Sequence, residues 1–331
     1  MQDITGKTAI ITGASSGIGR ASALALAGEG TNLVLTARSE DKLADIARQC
    51  RELGVQAVHH AGDAREESTA VETVGLAVDT FGGIDILLSN AGIGIAGPFL
   101  DSTMETYDVQ MDTNVRSSYA FCLHAVPEMI KKEESQLIIV SSVTGINGHV
   151  MEVAYSATKF ANRGMAQALN REFREQGLKV CTLCPSATNT EFQVGAGRTR
   201  EGNDARLMLL PQDLADAVVF ICKQSKGTSR VMEMTWPPCP GTEPPRRDRS
   251  SSAPRSVRRR RARLPGPRGG HVRASPTTVS DSRADGGPEH SPCASHGQCS
   301  AGTIPASHGS FSPSARIVPH PHSAHLRPGC A

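Results

Sequence analysis

The sequence predicts an α/β fold built on a doubly wound parallel sheet, and three observations carry that reading. Seven short runs rich in β-branched and apolar residues alternate with helical patterns across residues 1–238, the rhythm of consecutive βαβ units. The first run ends in a glycine-rich turn that opens at once into a stretch rich in Ala and Leu. The run Leu137-Ile-Ile-Val140 is apolar throughout, as a strand buried on both faces must be.

Lys7 to Thr12 reads as the first strand, Gly13-Ala-Ser-Ser-Gly17-Ile-Gly19 follows it, and Arg20 to Gly30 is helical. That order places a pyrophosphate on a helix amino terminus, the glycines permitting a tight turn and a close approach of backbone. Asn32 to Thr36 is the second strand, and Ser39, at the head of Ser-Glu-Asp-Lys, is a helix cap. The tip of this strand decides which dinucleotide is taken, because an acid there suits a ribose 2′-hydroxyl and an arginine suits a 2′-phosphate. Arg38 stands at the tip, so the expected cofactor is NADP, with NADPH its reduced form. The alternative is a solvated arginine, with Glu40 and Asp41 available to a rearranged loop.

Val55 to His59, Ile84 to Leu88, Leu137 to Val140 and Val180 to Cys184 are the next four strands, and Arg230 to Trp236 is the last, after a helix over Pro211 to Gln224. His59 and His60 are adjacent, so they point to opposite sides of a strand and do not converge on a metal. Cys181 and Cys184 likewise face opposite sides, and no metal is expected. Residues 191–210 are Gly-rich with a Met/Leu end, the composition of a mobile substrate lid.

Ser142 to Lys159 reads as a chemical site. Tyr155 and Lys159 are four residues apart at the start of a helical pattern whose apolar stripe is Ala161, Met165, Leu169 and Phe173, so the two side chains share a face. The ammonium favours the phenolate and brings a phenol with an ordinary pKa of about 10 toward working pH. Ser142 would stand at the carboxyl end of the Leu137–Val140 strand, where open α/β sheets bind ligands. Taken alone, the Tyr/Lys pair is also what a solvated lysine beside a half-buried tyrosine looks like.

Composition divides the chain near Pro238. Residues 1–238 hold 21 Lys/Arg and 28 Asp/Glu, a net charge of −7; residues 239–331 hold 14 Arg, no Lys and 5 Asp/Glu, a net charge of +9. The acidic first part gives no reason to expect nucleic acid. The amino terminus lacks a basic region followed by an apolar one, and no apolar run reaches a membrane-spanning length. A cytoplasmic protein without a membrane partner is expected, and Cys50, Cys122, Cys181, Cys184 and Cys222 serve it as small apolar residues. The segment 239–331 carries 14 of the 20 prolines, 7 His and Phe311 as its only aromatic. Such a stretch buries too little apolar surface to offset its ordering entropy. The expectation is a disordered tail, dispensable for fold and catalysis and resembling GC-rich DNA translated out of frame, as a frameshift or read-through near Pro237 would produce. Its basic run Arg255 to Arg263 has no aromatic for a base and no apolar face for a lipid.

Thr12-Gly-Ala-Ser-Ser-Gly-Ile-Gly19, Ser89-Asn-Ala-Gly92, Asn114, Ser142 and Tyr155-Ser-Ala-Thr-Lys159 follow in an order and at spacings that resemble the short-chain dehydrogenase/reductase superfamily, over roughly residues 4 to 237. The resemblance implies a Rossmann-type sheet and a catalytic set of Asn114, Ser142, Tyr155 and Lys159. It puts the dinucleotide on Gly13, Ser15, Ser16, Gly17, Ile18, Gly19, Arg38, Asp63, Asn90, Ala91, Gly92, Tyr155, Lys159, Pro185, Thr188 and Thr190. Asp63 would bond the adenine amino group, and the Asn114 carbonyl would hold a water near the lysine. Thr188 and Thr190 would contact the nicotinamide amide and phosphate. The implied reaction moves a hydride between NADP(H) and the carbonyl or secondary alcohol of a small molecule, in a homodimer or homotetramer joined through two long helices. Ile93, Ile95, Val143, His149, Met151, Phe192 and Met208 would line a mostly apolar pocket, His149 being a substrate contact or a solvated loop residue.

Two positions depart from the family pattern. Ser89 replaces the first Asn of Asn-Asn-Ala-Gly, and Ser186 stands where the family has Gly, a residue that reaches positive φ without cost. The Ser186 change, or an altered carboxyl end, leaves a second reading open, a catalytically impaired dinucleotide-binding sensor or interaction protein. A third is binding to nucleic acid or an anionic surface through the basic tail.

Overall fold

A computed structural model of the chain describes residues 1–193, 208–225, 227 and 230–237. Residues 194–207 of the expected lid, and the whole of 239–331 with its Arg255–Arg263 run, lie outside them.

The strands are β1 (Thr8–Thr12), β2 (Asn32–Ala37), β3 (Ala57–Ala61), β4 (Ile86–Ser89), β5 (Ser135–Val140), β6 (Leu178–Cys184) and β7 (Glu233–Thr235). They form one sheet in the order β3-β2-β1-β4-β5-β6-β7, every pair parallel. The helices are α1 (Gly17–Gly28), α2 (Glu40–Glu52), α3 (Glu67–Phe81), α4 (Met104–Met111), α5 (Ser117–Met129), α6 (Val153–Phe173) and α7 (Pro211–Cys222). The chain winds outward from β1 through β3, returns, and continues from β4 to β7. The carboxyl ends of β1 and β4 therefore flank the point where the winding reverses, which is where this architecture opens a crevice for ligands.

Successive residues of each central strand face opposite layers, as the strand period of two requires. Ile11, Leu33, Leu35, Leu88, Ile138 and Leu183 pack under α1, α2 and α7, against Leu26, Leu43, Ile46, Leu214, Val218 and Ile221. Ile10, Val34, Leu87, Leu137, Ile139 and Val180 pack on the other side, against Val74 and Ala77 of α3, Phe121 and Met129 of α5 and Ala166 of α6. Two cores on one sheet hold the strand ends rigidly, each large side chain removed from water contributing about 1.5 to 3 kcal/mol.

The sheet is that of the sequence reading, with different ends. β3 runs over Ala57–Ala61, two residues later than expected, and α1 starts at Gly17, so the last two glycines of the turn already belong to the helix. His59 and His60 do face opposite layers: His59 meets Glu40 of α2 at 2.7 Å and His60 meets Glu72 of α3 at 3.3 Å. Among the described residues, no helix is long and apolar enough to cross a membrane.

Candidate active site

The glycine turn and the end of β4 are built against each other. Thr12 closes β1, and its Oγ1 accepts from the backbone N–H groups of Asn90 and Ala91, each at 2.9 Å. Asn90 returns the bond: its Nδ2 donates to the carbonyls of Thr12 at 2.9 Å and Gly13 at 3.3 Å. Gly13 has a φ of 65°, a conformation that a side chain disfavours. A Cβ at Gly19 would overlap the Gly13 carbonyl oxygen and stand 2.7 Å from Asn90 Nδ2. Ser16 enters α1 with an extended backbone and makes no side-chain capping bond. The first-turn N–H groups of Gly17, Ile18 and Gly19 therefore point out of the helix end with its partial positive charge. This cradle of backbone N–H groups, closed by glycines that a Cβ would spoil, fits a pyrophosphate.

The loop after β6 closes over this turn from the far side of the crevice. A Cβ at Gly17 would lie 3.1 Å from the methyl of Thr190, whose Oγ1 donates to the Thr188 carbonyl at 3.4 Å. Thr188 is buried and donates to the Ser186 carbonyl at 3.0 Å. Ser186 keeps an ordinary backbone, since Met151 is the one non-glycine residue with positive φ among those described. The replacement of Gly by Ser at 186 thus costs no strain, and the doubt that sequence raised about this loop falls away.

At the foot of the crevice stand Ser142, Tyr155, Lys159 and Asn114. Ser142 follows β5; its Oγ accepts from the Thr144 N–H at 3.2 Å and approaches the Pro185 carbonyl at 3.5 Å. Tyr155 and Lys159 lie in the first turns of α6, 7% and 4% exposed. The Lys159 Nζ donates to the Val140 carbonyl at 3.0 Å and stands 5.5 Å from the centre of the Tyr155 ring, in reach of a cation–π contact. The Ser141 hydroxyl donates to the Lys159 carbonyl at 2.8 Å, pinning α6 to the end of β5. Phe192 tilts against the Tyr155 ring, centroids 5.8 Å apart.

Asn114 lies in a π-helical turn, Asp112–Arg116, between α4 and α5. Its fully buried side chain bridges two elements: Oδ1 accepts from the Ile93 N–H at 2.7 Å, and Nδ2 donates to the Ile93 carbonyl at 2.8 Å and to Thr158 Oγ1 at 3.0 Å. A Cβ at Gly92 would be 3.1 Å from Asn114 Oδ1 and 3.6 Å from Lys159 Nζ, so these three residues meet. The Asn114 carbonyl accepts from Ser118 Oγ at 3.1 Å, and Ser118 Oγ accepts from Ser89 Oγ at 2.9 Å. The serine that departs from the family pattern at 89 is thereby tied to the main chain of Asn114.

Residues 7–201 match the sequence model of the short chain dehydrogenase family. The chain belongs to this family of oxidoreductases. An uncharacterized oxidoreductase of Staphylococcus aureus strain MRSA252 is 32% identical over 238 residues, which cover 72% of this chain and 100% of that relative. The structure is similar to that of L-sorbose reductase from Gluconobacter frateurii complexed with NADPH and L-sorbose, with a TM-score of 0.65 and 26% identity, covering 72% of this chain and 98% of the reductase. The fold is also that of a short chain dehydrogenase from Mycobacterium paratuberculosis bound to NAD, with a TM-score of 0.65 and 24% identity over 71% of this chain and 97% of that one.

One of the two residues named for the adenosine end, Asp63, sits in surroundings the sequence did not announce. Arg38 is exposed after β2, which suits an arginine open to a phosphate and a solvated loop arginine alike. Asp63 follows β3, and Arg65 grips its carboxylate through Nε, at 3.1 and 3.0 Å, and through Nη2 at 2.6 Å. The Arg65 guanidinium holds the Asp63 carboxyl below the usual carboxylate range, and the more distant Arg38 adds to the effect. Of the expected pocket residues, Phe192 is at Tyr155, while His149 is exposed and its Nδ1 meets the neighbouring Val150 carbonyl at 2.9 Å. Thr12, Thr158, Ser118 and Arg65 join the site only in the structure; in the sequence, Thr12 ends a strand beside the glycine turn and Thr158 lies between Tyr155 and Lys159, while nothing marks Ser118 or Arg65.

Proposed function

We propose that the protein is an NADP-dependent oxidoreductase that interconverts a carbonyl and a secondary alcohol on a moderately apolar small molecule. The observation that carries the proposal is the buried pairing of Tyr155 with Lys159 at the carboxyl end of β5, beside Ser142. When bound, the nicotinamide cofactor supplies or accepts a hydride at its C4 position.

The chain's own residues do the rest. Ser142 Oγ holds the substrate oxygen by a hydrogen bond, and the Tyr155 hydroxyl gives it a proton in reduction and removes one in oxidation. The Lys159 ammonium stabilises the charge that builds on the phenol oxygen and reaches the cofactor ribose. Asn114 fixes Ile93 and Thr158 around the lysine, and its carbonyl would hold a water through which protons reach solvent. Gly13, Ser15, Ser16, Gly17, Ile18 and Gly19 take the pyrophosphate, Asn90, Ala91 and Gly92 border it, and Pro185, Thr188 and Thr190 face the nicotinamide end. Arg38 pairs with the 2′-phosphate and Asp63 with the adenine.

A nicotinamide cofactor is supported by the similar reductase complexed with NADPH, and NADP in particular by the exposed Arg38. Assembly into a homodimer or homotetramer is supported by Tyr119 and Leu123 of α5 and Phe160 of α6, large apolar side chains that stand 60%, 51% and 46% exposed. Work in the cytoplasm is supported by Cys50, Cys122, Cys181, Cys184 and Cys222, all unpaired thiols. The catalytic unit is placed within residues 1–238, and no step is assigned to 239–331. The test is NADPH oxidation by the full chain against a panel of ketones, aldehydes, quinones and 3-oxoacyl thioesters. Turnover of at least one of these classes is expected, and turnover of none would defeat the proposal.

A further inference from the structure

Two carboxylates, Glu40 and Asp41, stand within three residues of Arg38, the residue assigned to the 2′-phosphate. A carboxylate at the tip of β2 would repel a dianionic 2′-phosphate and would accept a bond from a 2′-hydroxyl. Arg38 alone does not remove that charge.

His59 deals with Glu40. Glu40 opens α2, and its Oε1 lies 2.7 Å from His59 Nε2. An ionised carboxylate only accepts, so the histidine Nε2 carries the proton and donates it. In the sheet His59 is in register with Leu35, two residues before β2 ends at Ala37. That sets it about 7 Å back along the strand from the tip. The bond therefore ties the Glu40 carboxylate to a strand position set back from the tip that Arg38 follows. The His59 side chain is 22% exposed and fixed in an ordered strand, while that of Glu40 is 62% exposed and free to swing if released. Of the other acids around the tip, Asp63 is held by Arg65 and Glu191 pairs with Lys42 at 3.8 Å, while Asp41, the second residue of α2, is exposed to water. His60 faces the opposite layer, where it meets Glu72.

We propose that His59 is a specificity-determining residue: by holding the Glu40 carboxylate at 2.7 Å it keeps a negative charge out of the 2′-phosphate site. This inference rests on the NADP reading above and deepens it. His59 touches neither the cofactor nor the substrate, so it acts through Glu40 and has no part in proton transfer.

The test is a double-mutant cycle on the full chain, with the dissociation constants of NADPH and NADH measured by cofactor fluorescence in His59→Val, Glu40→Gln and the double variant. His59→Val is expected to lower the preference for NADPH by about twofold to fivefold, the range open to an exposed charge pair, with turnover of the bound complex unchanged. In the Glu40→Gln background the same change should do nothing, because no carboxylate remains to be released. Glu40→Asp, whose shorter side chain falls short of His59, should lower the preference without touching the strand, and so serves if His59→Val does not fold. An unchanged NADPH:NADH ratio in both His59→Val and Glu40→Asp, or an equal fall in both Glu40 backgrounds, would overturn the inference. If the unmodified protein shows no preference for NADPH, the NADP reading fails instead, and the cycle still reports whether the two residues are coupled.

Discussion

The ammonium of Lys159 stands 5.5 Å from the centre of the Tyr155 ring, one turn along the same helix, with both side chains nearly closed to solvent. In such a setting a cation acts on a phenol more strongly than it would in water. Lys159→Met is therefore expected to lower turnover by about 100- to 10,000-fold, the usual span for a disabled acid–base group, and to weaken cofactor binding as well. Separate measurement of kcat and of the NADPH dissociation constant checks both parts.

Arg38 is the cation offered to the 2′-phosphate, and a charge-assisted hydrogen bond of this kind is worth about 1.5 to 3 kcal/mol. Arg38→Asp should then cost roughly 10- to 150-fold in NADPH affinity while NADH affinity holds or improves. Titration of both reduced cofactors into both proteins decides it, and equal affinities in the unmodified chain would remove the basis for the NADP assignment.

Gly19 is fixed by contact, since a Cβ there would overlap the Gly13 carbonyl oxygen and crowd Asn90 Nδ2. Gly19→Ala must push the turn off β4. Overpacking of this kind costs about 1 to 3 kcal/mol, or roughly 2 to 12 °C in thermal midpoint for a domain of this size. The loss of cofactor binding should exceed what that destabilisation explains, which a titration at a temperature where the variant is folded will show.

Asp63 offers a pH test. Its carboxyl is held below the usual range first by the Arg65 hydrogen bonds. A depressed folded-state pKa means that the pair stabilises the fold above the ordinary aspartate value of about 3.9 and that this is lost as pH falls through the folded value. The pair is partly exposed, side chains 43% and 28%, so the contribution is about 0.2 to 1 kcal/mol. Asp63→Asn is expected to lower the thermal midpoint by about 0.4 to 4 °C at pH 7 and by progressively less as pH falls below about 4.

The sheet was legible because its signals are local. Apolar runs such as Leu137–Val140, the glycine turn and the spacing of Tyr155 and Lys159 each state their conformation within a few residues. What escaped depends on neighbours far apart in the chain. The Thr12 hydroxyl binds residues 78 and 79 positions away, and Asn114 reaches Thr158 across 44. No propensity marks the π-helical turn at Asp112–Arg116, which arises where Asn114 bends inward to Ile93. The doubt about Ser186 came from reading a family glycine as a positive-φ requirement, and here the loop is built without one. Arg65 escaped because its meaning lies in Asp63, two residues back.

The central claim is that the Tyr155 hydroxyl transfers the proton while the neighbouring residues hold the reactants. Tyr155→Phe removes that hydroxyl and leaves the ring to pack against Phe192. The deciding measurement is the rate of NADPH oxidation by Tyr155→Phe with whichever carbonyl compound the unmodified chain turns over best, beside NADPH binding to the same variant. A fall of at least about 100-fold in rate with NADPH affinity preserved is the predicted result. Undiminished oxidation by the phenylalanine variant would place the chemistry elsewhere and contradict the account.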